Sequence, residues 1–210
     1  MATIMKHGPE LLISLGQHIT LTLAAVGMGI IIAVPLAILL TRHKKLAPVV
    51  LALASTIQTI PGLVMLGLAL VISGVGVKPA LFVLTIYSIL PVLQNTYTGI
   101  NEVLPAYKDA AKGLGMTKSQ VLMKVELPLA LPAMASGVRI SAVYIVSWAT
   151  LAGMVGAGGL GDWIWTGLST YNTTYILFGA VPSALLAVLL STGFGALESA
   201  LTPRGMRRTS

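Results

Sequence analysis

The chain has 210 residues, a formal net charge of +7, a mean hydropathy of +0.91 and only 9% charged residues. A soluble domain of this size carries about 25% charged residues, so the composition excludes one and indicates an integral membrane protein. The basic excess is not a nucleic-acid signal, because the Lys and Arg residues form short clusters between apolar runs rather than one face, and the absence of cysteine excludes disulfides and thiolate metal sites.

Residues 1–18 mix Lys6, His7, Glu10, Gln17 and His18 with Leu11, Leu12, Ile13 and Leu15. They read as an N-terminal interfacial segment, a short helix on the membrane surface, or as a mobile terminus. A transmembrane domain is expected over 19–200, with a basic tail over 201–210 carrying Arg204, Arg207 and Arg208. Residues 19–41 are uncharged and long enough to span, since about 20 apolar residues suffice. The run is an uncleaved first span rather than a signal peptide, whose apolar core covers about 7–15 residues. Arg42, His43, Lys44 and Lys45 end it.

Residues 46–77 are uncharged but too long for one straight crossing. Gln58, Thr59, Pro61 and Gly62 interrupt them, which predicts a broken or kinked helix, tolerated in lipid only where neighbours or a cavity satisfy the freed backbone. The third span covers 79–100 and carries a polar stripe at Gln94, Asn95, Thr96 and Tyr97. The fourth covers 129–152, with Arg139 expected to face the bundle interior. Residues 153–174 are rich in Gly, Trp and Thr. They predict an outer loop with a short re-entrant helix, Trp163 and Trp165 serving as interface anchors and the glycines at 156, 158, 159 and 161 shaping a turn. The fifth span covers 175–197.

Between the third and fourth spans, residues 109–128 read DAAKGLGMTKSQVLMKVELP, too polar to cross a bilayer. Pro105 suits a first helical turn. Gly113 and Gly115 permit a break. Thr117 with Gln120 forms a capping box that opens a second short helix, apolar along Val121, Leu122 and Val125 and limited by Pro128. The expectation is two short helices hinged at glycine, held at the membrane surface. Ten of the thirteen Lys and Arg residues lie in 42–45, in 101–128 and in the tail. Basic residues collect on the cytoplasmic side, so this charge count predicts an outside N-terminus, a cytoplasmic C-terminus and a cytoplasmic 101–128 loop.

No GxxxxGK[ST] phosphate loop occurs. Every Asp, Glu and His falls in a loop or at a span end, which disfavours proton or sodium coupling, because relays need titratable groups within the spans. No catalytic or metal-binding constellation is present, so the chain reads as no enzyme. Gln58, Thr59, Pro61, Gln94, Asn95, Ser147, Trp148 and Thr150 are candidates to line a pathway; helix–helix hydrogen bonding is the competing reading for the polar ones. Aromatic residues are few, 6% of the chain, so a tight cation–π box for a quaternary ammonium is not expected.

The segment also carries a resemblance. Asp109-Ala110-Ala111, then Gly115, then Val125 and Leu127-Pro128 match the spacing of the signature loop of ATP-binding-cassette importer permeases, with Asp in place of Glu and Val in place of Ile. The stretches IQTIPGLVMLGLAL, YSILPVLQNTYTGI, KVELPLALPA and WATLAGMVGAGGLGDWIWTGL look like those of the osmoprotectant permeases, which serve glycine betaine, carnitine and choline. The resemblance implies an all-α polytopic membrane protein of about five transmembrane helices, a MetI-like type I importer permease in a prokaryotic inner membrane. Its coupling loop, 101–128, would join spans 3 and 4, and Asp109, Ala110, Ala111, Gly115, Leu127 and Pro128 would engage a partner ATPase. No cofactor belongs to this chain; ATP and Mg would bind the partner. The implied partners are a dimer of cytoplasmic ATPases, a second or homologous permease, an extracellular or periplasmic binding protein and the lipid bilayer. Methionine-class amino-acid cargo, or a non-transporting scaffold that docks an ATPase, are the alternatives.

Overall fold

The computed structural model describes residues 2–202, with side chains from His7 onward. The basic tail, with Arg204, Arg207 and Arg208, and the Lys6 side chain lie outside the described residues. The elements are α1 (Ala2–Arg42), α2 (Ala47–Thr59), α3 (Gly62–Ser73), α4 (Val77–Asn101), α5 (Pro105–Gly113), α6 (Lys118–Val121), α7 (Leu127–Ala152), α8 (Leu160–Ser169) and α9 (Thr173–Leu201). A π turn, Leu122–Glu126, fuses α6 to α7. No strand occurs among the described residues.

Four helices are long and apolar enough to cross a membrane, and the pair α2 and α3, bent by 89°, makes a fifth candidate. Contacts at its two ends decide that the pair crosses. Before α2, Thr41, Arg42 and Lys44 share a cavity with Ile100, Lys108 and Glu126. After α3, Gly76 N–H donates to Val155 O, beside the turn that packs on Gln17 and His18. The first group gathers the loop that joins α4 to α7, and the second gathers the far end of α7 and the middle of α1, well away from Arg42. The bent pair therefore runs from one face of the bundle to the other.

α4 is the axis of the bundle, with Val83, Leu84, Tyr87, Val92, Leu93 and Ile100 all buried. Much of the core around it is alanine: Ala25, Ala33 and Ala37 from α1 and Ala142, Ala149 and Ala152 from α7. Lipid tails give apolar side chains no reason to leave them, so close backbone approach and hydrogen bonding must hold such helices together. Both are present. A Cβ at Gly137 of α7 would stand 2.7 Å from Asn95 Cβ of α4. Ser141 Oγ donates 3.0 Å to Ser88 O, and Ser88 Oγ donates 3.0 Å to Ala25 O. Two serines thus stitch α7 to α4 and α4 to α1.

The expected separate helix over 1–18 is not what forms. One helix runs through Ala2–Arg42, and His18, expected at a span end, is fully buried within it. One long-range bond answers the ring, from Nε2 to Val146 O at 3.1 Å, while the buried Nδ1 has no partner among the described residues; next to it Gln17 Oε1 accepts from Gly159 N–H at 3.0 Å. The 153–174 segment does contain the short helix expected, α8. Both of its tryptophan indole N–H groups, expected at the membrane surface, bond inside the chain. Trp163 donates to Ser14 Oγ and Trp165 to Thr150 O. Arg139 reaches α9, donating to Ser191 Oγ and pairing with Glu198 at 3.7 Å.

Candidate functional site

Two regions concentrate the chemistry the sequence singles out. The first is the segment between α4 and α7. α5 begins at Pro105, where the missing N–H costs nothing. It ends in a Schellman motif: Met116 N–H donates to Ala111 O at 3.1 Å and Gly115 N–H to Lys112 O at 2.9 Å. Gly115 supplies the left-handed residue, φ +78°, whereas Gly113 is the last residue of α5. The break therefore rests on Gly115 alone. Thr117 and Gln120 then exchange both bonds of a capping box and start α6.

α6 does not stop at Pro128. The π turn carries the helix onward, with Leu127 N–H donating to Leu122 O. A proline ring clashes with the carbonyl four residues back, here that of Lys124. The widened turn relieves that clash, so Pro128 shapes the helix instead of ending it. The site residues separate by exposure. Asp109, Ala110, Gly115 and Pro128 are exposed, Leu127 is half-buried, and Ala111 is buried inside the segment. Of the two alanines, only Ala110 offers a small outward face. Asp109 pairs with Lys112 one turn on, at 3.0 Å. Around them Tyr107, Leu114 and Met123 stand more than half exposed, Leu114 at 80%.

A buried carboxylate joins this segment to the bundle. Glu126, 4% exposed, receives a hydrogen bond from Arg42 at the end of α1 and lies 3.5 Å from Lys108 of α5. In sequence Glu126 is one of the loop charges. Its partners lie 84 and 18 positions away, so local pattern carries no sign of them.

The second region is the break in the α2–α3 crossing. Pro91 of α4 has no N–H, which orphans the Tyr87 carbonyl one turn earlier. Gln58 of α2 answers it, its Nε2 donating 2.9 Å to Tyr87 O. In return Tyr87 Oη donates to Ile60 O, the carbonyl freed by the break. Pro61 caps α3, and Gly62 sits against the Trp148 ring. Trp148 stacks on Tyr87 with centroids 4.8 Å apart and meets Tyr144 at 5.9 Å. The aromatics read as scattered in sequence are thus gathered at the break.

The remaining pathway candidates do not converge there. Thr59, Ser147 and Thr150 bond to carbonyls of their own helices. Asn95 donates to Pro91 O, and Gln94 is exposed about two turns further along α4. For Gln58 the structure supports helix–helix hydrogen bonding.

Gln58→Leu should therefore destabilise the folded chain by about 1–3 kcal/mol, the cost of leaving a buried carbonyl unpaired. The same change should cost much less in a Pro91→Ala background, where residue 91 regains an N–H for Tyr87 O. Equal losses of melting temperature in both backgrounds would refute the account.

The description "binding-protein-dependent transport system inner membrane component" belongs to a family whose sequence model matches residues 25–206. The Bacillus subtilis choline transport system permease protein OpuBB is 44% identical, over 98% of this chain and 94% of its own length. The glycine betaine/carnitine/choline transport system permease protein OpuCB of the same organism is 43% identical, over 99% and 95%. The Salmonella typhimurium osmoprotectant import permease protein OsmW is 39% identical, over 91% of each. A solved structure of the MetNI methionine ABC transporter, described as inward facing, superposes with a TM-score of 0.81 over 92% of this chain and 97% of that one, at 24% identity.

Proposed function

Because the chain belongs to the family of binding-protein-dependent transport system inner membrane components, we propose which of its surfaces serve that role and what cargo it passes. The chain is the permease subunit of an ABC importer. ATP hydrolysis falls to a separate ATPase, and a substrate-binding protein is a further partner. The cargo is a small compatible solute of the glycine betaine, carnitine or choline class, a reading supported by the transport roles of its relatives.

One observation supports the coupling surface above the others. α5 is a rigid, doubly anchored projection: a Schellman motif closes it, and Glu126 ties it through Lys108 and Arg42 to α7 and α1. Its outward side presents Tyr107, Asp109, Ala110 and Leu114. A separate ATPase that grips this side moves two crossings at once. Asp109 gains charge-assisted hydrogen bonds if the partner is basic and the contact dry. Gly115 sets the angle, while Leu127 and Pro128 carry the motion through the π turn. ATP and Mg bind the ATPase and not this chain.

Two permease copies, or this chain and a homologue, pair with two ATPases, and rigid-body rocking exposes a shared pathway to each side in turn. The clustering of Arg42, Lys44, Lys108, Lys112, Lys118 and Lys124 at one face supports a cytoplasmic position for α5, and an outside N-terminus and cytoplasmic C-terminus with it.

Proteoliposomes containing the permease, its ATPase and its binding protein should take up choline, betaine or carnitine only with ATP. Methionine should not compete. Uptake on an ion gradient without ATP, or ATPase docking without uptake, would remove the importer reading; competition by methionine would remove the cargo assignment alone.

A Cβ at Gly115 meets no neighbouring atom, but Gly115→Val must adopt a left-handed backbone, at a cost of about 1–2 kcal/mol. Membrane insertion should persist while uptake per ATP hydrolysed falls at least about tenfold, a tenfold change being about 1.4 kcal/mol of lost coupling. Undiminished coupling would show that the angle of α5 is immaterial.

A further inference from the structure

Two cavities meet at the end of α1. One, of about 590 Å³, lies beneath α5 and is walled by Arg42, Lys44, Lys108, Lys112 and Lys118 together with the Glu126 carboxylate. The other, of about 860 Å³, shares Arg42 and Lys118 and continues along α1 past Leu39, Ile38 and Pro35, with Leu122 opposite. From Arg42 to Pro35 is about 10 Å of helix, at 1.5 Å per residue. The lining therefore changes from basic to apolar along the axis of a membrane-spanning helix.

The charge at the basic end is not self-cancelling. Asp109 answers Lys112, and Glu126 answers one charge among Arg42, Lys44, Lys108 and Lys118. Three positive charges are left over. No ion pair is made by Lys44 or Lys118 among the described residues. At the apolar end Leu39 is 51% exposed, continuous with exposed Ile31 and Ile32 on α1.

From this we infer that the joined cavities hold one anionic phospholipid, its phosphate among Arg42, Lys44 and Lys118 and an acyl chain along Pro35, Ile38, Leu39 and Leu122. A soluble anion would fill the basic end and leave the apolar wall without a role. A zwitterionic lipid would bring its own cation toward surplus positive charge. Basic pockets between membrane helices select anionic headgroups, each Lys or Arg near the surface contributing about 1 kcal/mol.

The test uses the full chain carrying Leu39→Trp, in bilayers of phosphatidylcholine with either dibrominated phosphatidylglycerol or dibrominated phosphatidylcholine, wild-type emission serving as baseline. Brominated phosphatidylglycerol should quench the new indole with an apparent affinity about tenfold greater than phosphatidylcholine, two lysines' worth after screening. Lys44→Gln with Lys118→Gln should remove the preference. Equal quenching by the two lipids, or a preference that survives the double substitution, overturns the proposal. Loss of the preference on adding inorganic phosphate overturns it too, in favour of a simple anion pocket. If Leu39→Trp fails to fold, native mass spectrometry of the otherwise wild-type chain replaces it. Phosphatidylglycerol should then outlast phosphatidylcholine on the protein, and Lys44→Gln with Lys118→Gln should abolish the difference; no difference in the wild type overturns the assignment.

Discussion

Gly62→Ala should be among the most damaging single-methyl additions the chain can receive, and should turn mildly favourable once Trp148 is removed. Gly62 opens α3, just after the break in the second crossing. An ideal Cβ there would occupy space already filled by the Trp148 ring. That ring cannot retreat freely, because Tyr87 stacks on one side of it and Tyr144 flanks it.

Relief requires moving α3 or breaking the stack. Overpacking costs about 1–3 kcal/mol, and the lost aromatic pairing adds about 0.5–1.5 kcal/mol. The seat of the bent crossing would be lost with it, so uptake should fall below detection. In a Trp148→Ala background the obstacle is gone. There, Gly62→Ala should stabilise by up to about 1 kcal/mol, the ordinary preference of a helix for alanine over glycine. Thermal melts of the four proteins in detergent measure the cycle. A cost of the same sign in both backgrounds would mean the ring is not what Gly62 accommodates.

Arg42→Gln should be the more harmful half of a strongly non-additive pair with Glu126→Gln. Glu126 is almost fully buried, and Arg42 and Lys108 are its ion-pair partners among the described residues. Breaking a buried ion pair from one side costs about 3–5 kcal/mol. Arg42 is 43% exposed, so solvent screens part of the interaction and about 2 kcal/mol is expected. Adding Glu126→Gln removes the stranded carboxylate and should recover most of that loss. Coupling should not recover with it. Without the shared carboxylate α5 no longer pulls on α1, and uptake per ATP should fall about tenfold or more in both the Glu126→Gln chain and the double variant. Additive stability costs, or normal uptake per ATP in the double variant, would dismiss the junction as a transmission element.

The parts legible in sequence are those whose physics is local. The Thr117–Gln120 capping box, the break at Pro61, the turn at Gly115 and the apolar length of the crossings each depend on neighbours within a few residues. The five-crossing architecture and the family follow from them. What sequence reading missed depends on partners far along the chain. Gln17 and His18 look like surface residues until Gly159 and Val146 are placed beside them. Glu126 looks like a loop charge until Arg42 arrives. Tyr87 and Trp148, on different helices, look like isolated rings. Trp163 and Trp165 look like interface residues by type alone, and only the fold reveals that each indole has an internal acceptor. One clue was available: a proline within α4 and a glutamine beside a predicted break are complementary defects, a missing donor and a spare one.

That exchange between Gln58 and Tyr87 bears on how the protein is made. Gln58 emerges from the ribosome 29 residues ahead of the carbonyl it serves. Until Tyr87 follows, the Ile60 carbonyl and the Gln58 amide are both without their final partners. Hydrocarbon penalises such groups by several kcal/mol each. The nascent second crossing therefore has to linger beside water or the insertion machinery, and commit to the bilayer together with the third. These two crossings, three helices joined by mutual repair, should therefore enter the membrane as one unit of biogenesis.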